Sequence, residues 1–334
     1  MPRRLRGLAF AGLLCLLSWA PTQAAGLQRV DVPADAAGPA LSGLVWTPCA
    51  APPGEVRIDP ETIPGTWDCP VAGEHLPLVV ISHGVGGWFA GHHDTAEALA
   101  DAGFVVAAIN HPGDSSKSPD RHTGDLSALT ERPTDIKRLV DFMLSAWPAS
   151  AHAAPGTIDP ARIGYFGFSR GGFTGLVVIG GNPDFRTLLA HCPDYPGNRM
   201  CAQIRAGEAP SGPLTHDPRI RAAVLADPVF APLFVPDGLT GITIPVELWS
   251  SEHGGDGMLP VEVAAVERTL SPPPEFHAVP GAAHFAFLAP CGPALTQVAP
   301  EICVDAPGFD RVAFHARMNQ AVVAFFRAHL PAIK

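Results

Sequence analysis

Short, mostly apolar runs separated by segments of helical periodicity set narrow limits on this chain's fold. The runs are Leu76–Ser82, Phe104–Ile109, Arg162–Gly167, Ala222–Ala226, Pro245–Trp249 and Glu275–Val279. Helical patterns fall between or after them over Asp94–Ala102, Pro133–Trp147 (with Thr134 as candidate cap), Arg170–Ile179 and Val261–Leu270, and a long amphipathic one over Arg311–Leu330 closes the chain. A strand buried on both faces reads as an apolar run rather than an alternating one. The pattern therefore predicts an α/β fold with a mostly parallel central sheet flanked by helices. Two earlier strands, Leu27–Val32 and Leu41–Trp46, are expected to pair antiparallel, followed by a Pro/Gly-rich loop. One segment breaks the alternation. Residues 181–218 are too long for an ordinary helix-to-strand connection and are expected to form a lid-like insertion between the helical segment Arg170–Ile179 and the next strand, within a single domain spanning 26–334.

Composition excludes several classes. Charged residues make up 16% of the 334 and hydrophobic ones 47%, against a usual charged share of about 25%. So much apolar content argues against disorder. Lys, Glu and Arg are too scarce, and prolines too frequent, for a coiled coil. The net charge of −10 opposes a nucleic-acid or anionic-membrane partner, both of which call for clustered Lys and Arg. A chain this long buries enough surface to fold without a metal or cofactor. Neither is expected, and the protein is expected to be a monomer.

The first 25 residues read as a secretory signal peptide. Arg3, Arg4 and Arg6 precede an apolar stretch from Gly7 to Ala20 and a small-residue cleavage site near Ala24 and Ala25. Its removal takes away three arginines and no acid, making the charge more negative still. A periplasmic or secreted product is expected, with no later membrane span. Setting Cys15 aside leaves six cysteines in close pairs: Cys49 with Cys69, Cys192 with Cys201, and Cys291 with Cys303. An even number in an oxidising compartment predicts disulfides. The spacing lacks the C-x2-C element of a zinc site.

Gly167-Phe168-Ser169-Arg170-Gly171 matches G-x-S-x-G, with an apolar run leading in and a helical pattern leading out. A nucleophile elbow needs that context, because the serine sits on a strained strand-to-helix turn and the small residues at Gly167 and Gly171 let both elements approach. A serine hydroxyl needs a base, usually a histidine oriented by a carboxylate, and in this architecture the acid and then the histidine follow the serine. His83 and His111 precede it. His191 and His216 lie in the insertion, and His315 and His329 in the last helical segment. His277 lies inside a strand as a packed residue, which leaves His284, after the last strand, as the base. Two acids compete. Asp256 lies in the loop after the strand ending near Trp249, and Asp227 ends the preceding strand; Glu252 is a poorer choice. Either could reach the imidazole. Oxyanion donors are expected from the backbone amides of Arg170 and of Val85, in the glycine loop His83–Gly87.

These stretches, together with Ala107–Asp114 and Gly281–Phe287, recur in an order that resembles the bacterial dienelactone-hydrolase-like α/β-hydrolases close to platelet-activating-factor acetylhydrolases. The resemblance covers about residues 76–290. It implies an α/β-hydrolase fold, a Ser-His-Asp triad and cofactor-free hydrolysis of a small-molecule or lipid-like ester. Asp256 resembles the acid of many bacterial members, and Asp227 falls where the acetylhydrolase type places its own; Asp256 is slightly favoured, its loop position being the commoner one in that fold. Dienelactone hydrolases use cysteine where Ser169 stands, so lactone specificity does not carry over, and Arg170 is bulkier than the family's usual residue there. The expected activity is a secreted or periplasmic carboxylesterase for short- to medium-chain acyl esters, with Phe185, Leu188 and Leu189 bearing on the acyl group. A serine peptidase or amidase, or a non-catalytic binding protein, are the alternatives.

Overall fold

A computed structural model describes residues 25–151, 153–194, 196–234 and 237–332. The expected signal peptide, apart from Ala25, lies outside them. Ten strands form one sheet in the order β10-β9-β8-β7-β5-β6-β2-β1-β4-β3. They are β1 Ala25–Val32, β2 Leu41–Pro48, β3 Gly54–Ile58, β4 Glu61–Trp67, β5 Leu76–Ser82, β6 Val105–Ile109, β7 Ile158–Phe168, β8 Ile220–Ala226, β9 Val246–Ser251 and β10 Glu275–Val279. From β6 to β10 every pairing is parallel, and β2 joins β6 antiparallel. The chain carries the mostly parallel α/β architecture that the apolar runs predict.

The helices are α1 His93–Asp101, α2 Ser127–Thr130, α3 Arg132–Ser145, α4 Trp147–Ser150, α5 Arg170–Val178, α6 Arg199–Arg205, α7 Pro260–Thr269, α8 Pro293–Val298 and α9 Arg311–His329. Two apolar cores result, one on each face of the sheet. Ile136, Leu139, Leu176 and Val263 of α3, α5 and α7 build the first, while Leu99 of α1 and Met318 and Val322 of α9 build the second. Alternate side chains of one strand feed both: Leu78 and Val80 face the first core, Val79 and Ile81 the second. A strand sandwiched in this way has no solvated face, which is why β5 reads as an unbroken apolar run. No helix among the described residues is long and apolar enough to cross a membrane.

Two expectations are corrected. The segment read as a loop between Cys49 and Cys69 contains the β3–β4 hairpin; Pro64 and Gly65 hide it in the sequence, and proline is tolerated there because the hairpin lies at the sheet edge. Thr134 does not cap α3, which starts at Arg132 with Pro133 in its first turn. The Thr134 hydroxyl pairs instead with that of Thr215, at 2.7 Å. The three disulfides join the sequence-adjacent pairs Cys49–Cys69, Cys192–Cys201 and Cys291–Cys303. The insertion between α5 and β8 folds as two short 3-10 turns and α6, stapled by its disulfide.

Candidate active site

Strand β7 ends at Phe168 and α5 begins at Arg170, so Ser169 alone makes the turn, at φ 56° and ψ −116°. That conformation is costly for a residue with a side chain. Three contacts hold it. The Ser169 N–H donates to Ala226 at 2.9 Å, its carbonyl accepts from Phe173 at 3.0 Å, and the same carbonyl accepts from Val229 at 3.3 Å. The glycines are required sterically: a Cβ on Gly171 would collide with the Ser82 carbonyl, and one on Gly167 with the Gly171 carbonyl. The Tyr165 hydroxyl donates to that Gly171 carbonyl at 2.5 Å.

His284 Nε2 lies 3.0 Å from Ser169 Oγ, and Nδ1 lies 3.0 Å from Asp227 Oδ2. All three residues are buried. An ionised carboxylate only accepts, so the imidazole bearing its proton on Nδ1 donates to Asp227 and leaves Nε2 to accept from the serine hydroxyl. Asp227 is fixed in turn by Ser251, whose N–H donates to Oδ1 at 2.7 Å and whose hydroxyl donates to Oδ2 at 2.6 Å. The His284 N–H donates to Gly254 at 2.8 Å, tying the histidine loop to the turn after β9.

The structure brings Asp227, and not the favoured Asp256, to the imidazole. Asp256 sits at φ 49° in the glycine turn closed between Gly255 and Met258, its side chain exposed at the rim of the site. Glu252 is likewise exposed and accepts from the Gly281 N–H at 2.7 Å. Both candidate acids follow strand ends that face the same loop, so sequence position did not separate them. Only the fold shows that Ser251, at the end of the neighbouring strand, supplies Asp227 with a hydroxyl and an amide together.

The Arg170 N–H opens α5, where no acceptor exists within the helix, and Val85 borders both cavities that meet at Ser169. Among the described residues neither amide has a protein acceptor. Beneath them runs a buried polar framework that sequence reading missed. Asp114, fully buried, accepts from Arg132 Nη1 at 2.6 Å and from Arg170 Nη1 at 3.1 Å, and its carbonyl accepts from the Gly86 N–H at 3.0 Å. Arg132 also donates to Thr174 Oγ1, to Ser82 Oγ and to the His83 carbonyl. His83 Nδ1 donates to Gly84 at 2.6 Å while Nε2 accepts from the His111 N–H at 3.1 Å. Both roles suit a neutral ring, and burial together with the Arg132 charge holds its pKa well below the usual histidine range. His111 bridges Ser82 Oγ and Asp135 Oδ2, each at 2.9 Å, and is held neutral by the same causes. Burial pushes the Asp135 carboxyl up to about 7.

Two cavities flank the serine. One of about 470 Å³ lies against Trp88, Phe285, Leu288 and Ile302, with the Lys117 ammonium 4.8 Å from the Trp88 ring centroid. The other, of about 730 Å³, lies under the insertion and is lined by Leu188, Met200, Phe230 and Leu259. Of the three apolar insertion residues singled out from the sequence, Leu188 lines that cavity and Phe185 packs inward against Phe173. The Arg170 guanidinium is tied back to Asp114 and to the Thr123 carbonyl at 2.9 Å.

Residues 57–137 match the family model of platelet-activating factor acetylhydrolase, isoform II. The chain is similar to the platelet-activating factor acetylhydrolase of Cavia porcellus, 23% identical over 166 residues, covering 39% of this chain and 38% of that protein. It is also similar to that of Canis lupus familiaris, 41% identical over 68 residues, covering 20% of this chain and 15% of that protein. These matches span well under half the length of the curated relatives. A solved ferulic acid esterase from Streptomyces cinnamoneus shares the fold over 93% of this chain and 92% of its own, with a TM-score of 0.61 at 19% identity. The chain has the α/β-hydrolase fold.

Proposed function

We propose that this chain is a periplasmic or secreted serine carboxylesterase that cleaves short- to medium-chain acyl esters through an acyl-enzyme. The observation that carries the reading is the unbroken relay Asp227–His284–Ser169, with 3.0 Å at each step, ending beside two uncommitted backbone amides. Ser169 Oγ attacks the ester carbonyl while His284 Nε2 takes its proton. The carbonyl oxygen becomes an oxyanion facing the Val85 and Arg170 amides, and each such donor is worth about 2.7–4 kcal/mol in the transition state. Collapse of the intermediate breaks the bond to the alcohol oxygen, which receives the proton from His284. Water, deprotonated by the same nitrogen, then attacks the acyl-serine, releasing the acid and restoring the serine hydroxyl.

Cavities on either side of Ser169 support a substrate with an apolar group on each side of the ester. The similarity to acetylhydrolases and to a ferulic acid esterase supports esters over amides. Three disulfides and the N-terminal sequence support an oxidising compartment.

A fluorophosphonate probe should label the wild type and leave Ser169→Ala unlabelled. On a panel of nitrophenyl esters and peptide anilides, the wild type should turn over the acetyl-to-octanoyl esters. Failure of the wild type to label, or rapid anilide turnover with inert esters, overturns the reading.

A further inference from the structure

At the β9–β10 edge, three strands across the sheet from β7, lies a second group of titratable side chains that the ester chemistry does not use. Glu247 and Glu275 are directly registered across the parallel β9–β10 pair, and His277, two residues on, shares their face. Like charges placed opposite one another on a sheet are destabilising, yet Glu247 is 1% exposed. Its Oε2 has no hydrogen-bond partner, and neither does the buried Nε2 of His277. Nε2 lies 3.1 Å from Glu247 Oε1 without the geometry of a hydrogen bond. A buried carboxylate oxygen and a buried ring nitrogen left unpaired side by side call for an explanation, and a cation between them supplies one.

We propose that Glu247, Glu275 and His277 bind a divalent zinc ion. One ligand atom from each lies within 4.8 Å of the other two, and neighbouring ligands of a tetrahedral zinc stand about 3.3 Å apart at bond lengths of about 2.0–2.1 Å. The site therefore closes on zinc with small side-chain rotations. An imidazole nitrogen with two carboxylates favours zinc over calcium or magnesium, which prefer all-oxygen shells. Two supports position the ligands. The His277 ring stacks on the Trp249 indole, with centroids 4.1 Å apart, and His329, from the last turn of α9, lies 3.3 Å from Glu275 Oε1. The ion would bridge β9, β10 and, through Glu275, the end of α9, fastening the exposed edge of the sheet. Glu247 lies four residues before Ser251, the residue that holds Asp227, about 13 Å along the strand. The site is structural, not part of the ester chemistry.

The test uses untagged, chelator-treated full-length protein titrated with ZnCl2 by calorimetry, followed by thermal melts with and without zinc. Wild type should bind one zinc per chain and melt at a higher temperature when loaded. Glu247→Gln keeps the shape of the side chain and should weaken binding by at least about tenfold, as should His277→Ala. Both variants should retain the wild-type kcat on a nitrophenyl ester, because neither touches the relay. Absence of stoichiometric binding, retention of wild-type affinity in both variants, or equal stabilisation by calcium overturns the proposal. None of these outcomes depends on whether the fluorophosphonate probe labels Ser169.

Discussion

Ser169 and Asp227 both occupy the left-handed region, at φ 56° and 44°, and each is the first residue after a parallel strand. The chain there must turn at once, and a side chain on that turn projects above the sheet's edge instead of into a core. Strain at two facing positions is held by the hydrogen bonds on either side, Ser169 N–H to Ala226 and Asp227 N–H to Trp249, each 2.9 Å. The two turns are thereby locked to neighbouring strands, and the imidazole between them has a single place to sit. Removing the Asp227 charge while keeping its shape should leave His284 in the wrong tautomer, with Nε2 protonated and unable to accept from Ser169. Asp227→Asn should therefore lower kcat by about 10⁴. Asp256→Asn, at the exposed rim, should leave kcat within a few-fold. Steady-state kinetics on one nitrophenyl ester compares the two, and the reverse ranking would identify Asp256 as the working acid.

At the scale of elements, the two amides proposed to hold the oxyanion come from separate parts of the chain, the loop after β5 and the first turn of α5. Their spacing is set by Asp114 and Arg132, which are themselves brought together from the loop after β6 and the start of α3. Arg132 grips the end of β5 and, through Thr174, the nucleophile helix; Asp114 grips Arg170 and, through its carbonyl, Gly86. Asp114→Asn keeps the shape but removes the charge that both guanidiniums share, and leaves Arg132 buried without its partner. We expect kcat to fall by about ten- to a hundredfold with KM little changed, since the donors matter most once the oxyanion forms. This framework also shows what was legible in the chain. The elbow around Ser169 and the loop before His284 are local signals, written in consecutive residues. The central parallel strands β5 and β6 were legible because burial on both faces leaves them apolar almost throughout. Arg132 was not, because a lone arginine at a helix start reads as solvated, and only the fold shows that Asp114 reaches it. The β3–β4 hairpin was lost for a different reason, since β4 pairs with β1 only at Thr66 and Trp67 and so tolerates the Pro64 that a strand bonded along both sides would exclude. Glu247 and Glu275 are paired only by strand register, which no local pattern announces.

Over the whole molecule, the low share of charge does not mean that charge stays outside. Asp114, Arg132, Asp135, His111 and Asp227 are all buried, and they form the layer between the sheet's end and the site. Such a layer makes stability depend on pH in a direction that follows from one residue. Asp135 packs against His111, with Arg138 Nη1 3.8 Å away, and burial raises its carboxyl to about 7 despite the Arg132 and Arg138 charges. In the unfolded chain it titrates near 3.9. Between those values the folded protein keeps a proton that the unfolded chain has lost, so the folded state is favoured at the acidic end. That advantage is lost progressively as pH rises from about 3.9 to about 7, by up to about 4 kcal/mol across the window. A protonated Asp135 donates to His111 Nδ1, and His111 then donates from Nε2 to Ser82, so two neutral groups satisfy one another without burying a charge. Asp135→Asn reproduces that arrangement at every pH, its amide taking the place of the carboxyl O–H. Melting temperatures taken from pH 4 to 8 should lie closest for the two proteins at the acidic end and separate up to about pH 7, the variant being the more stable there. Parallel curves, or a wild type that gains on the variant as pH rises, would mean that Asp135 is ionised in the fold and that His111 carries the proton between them.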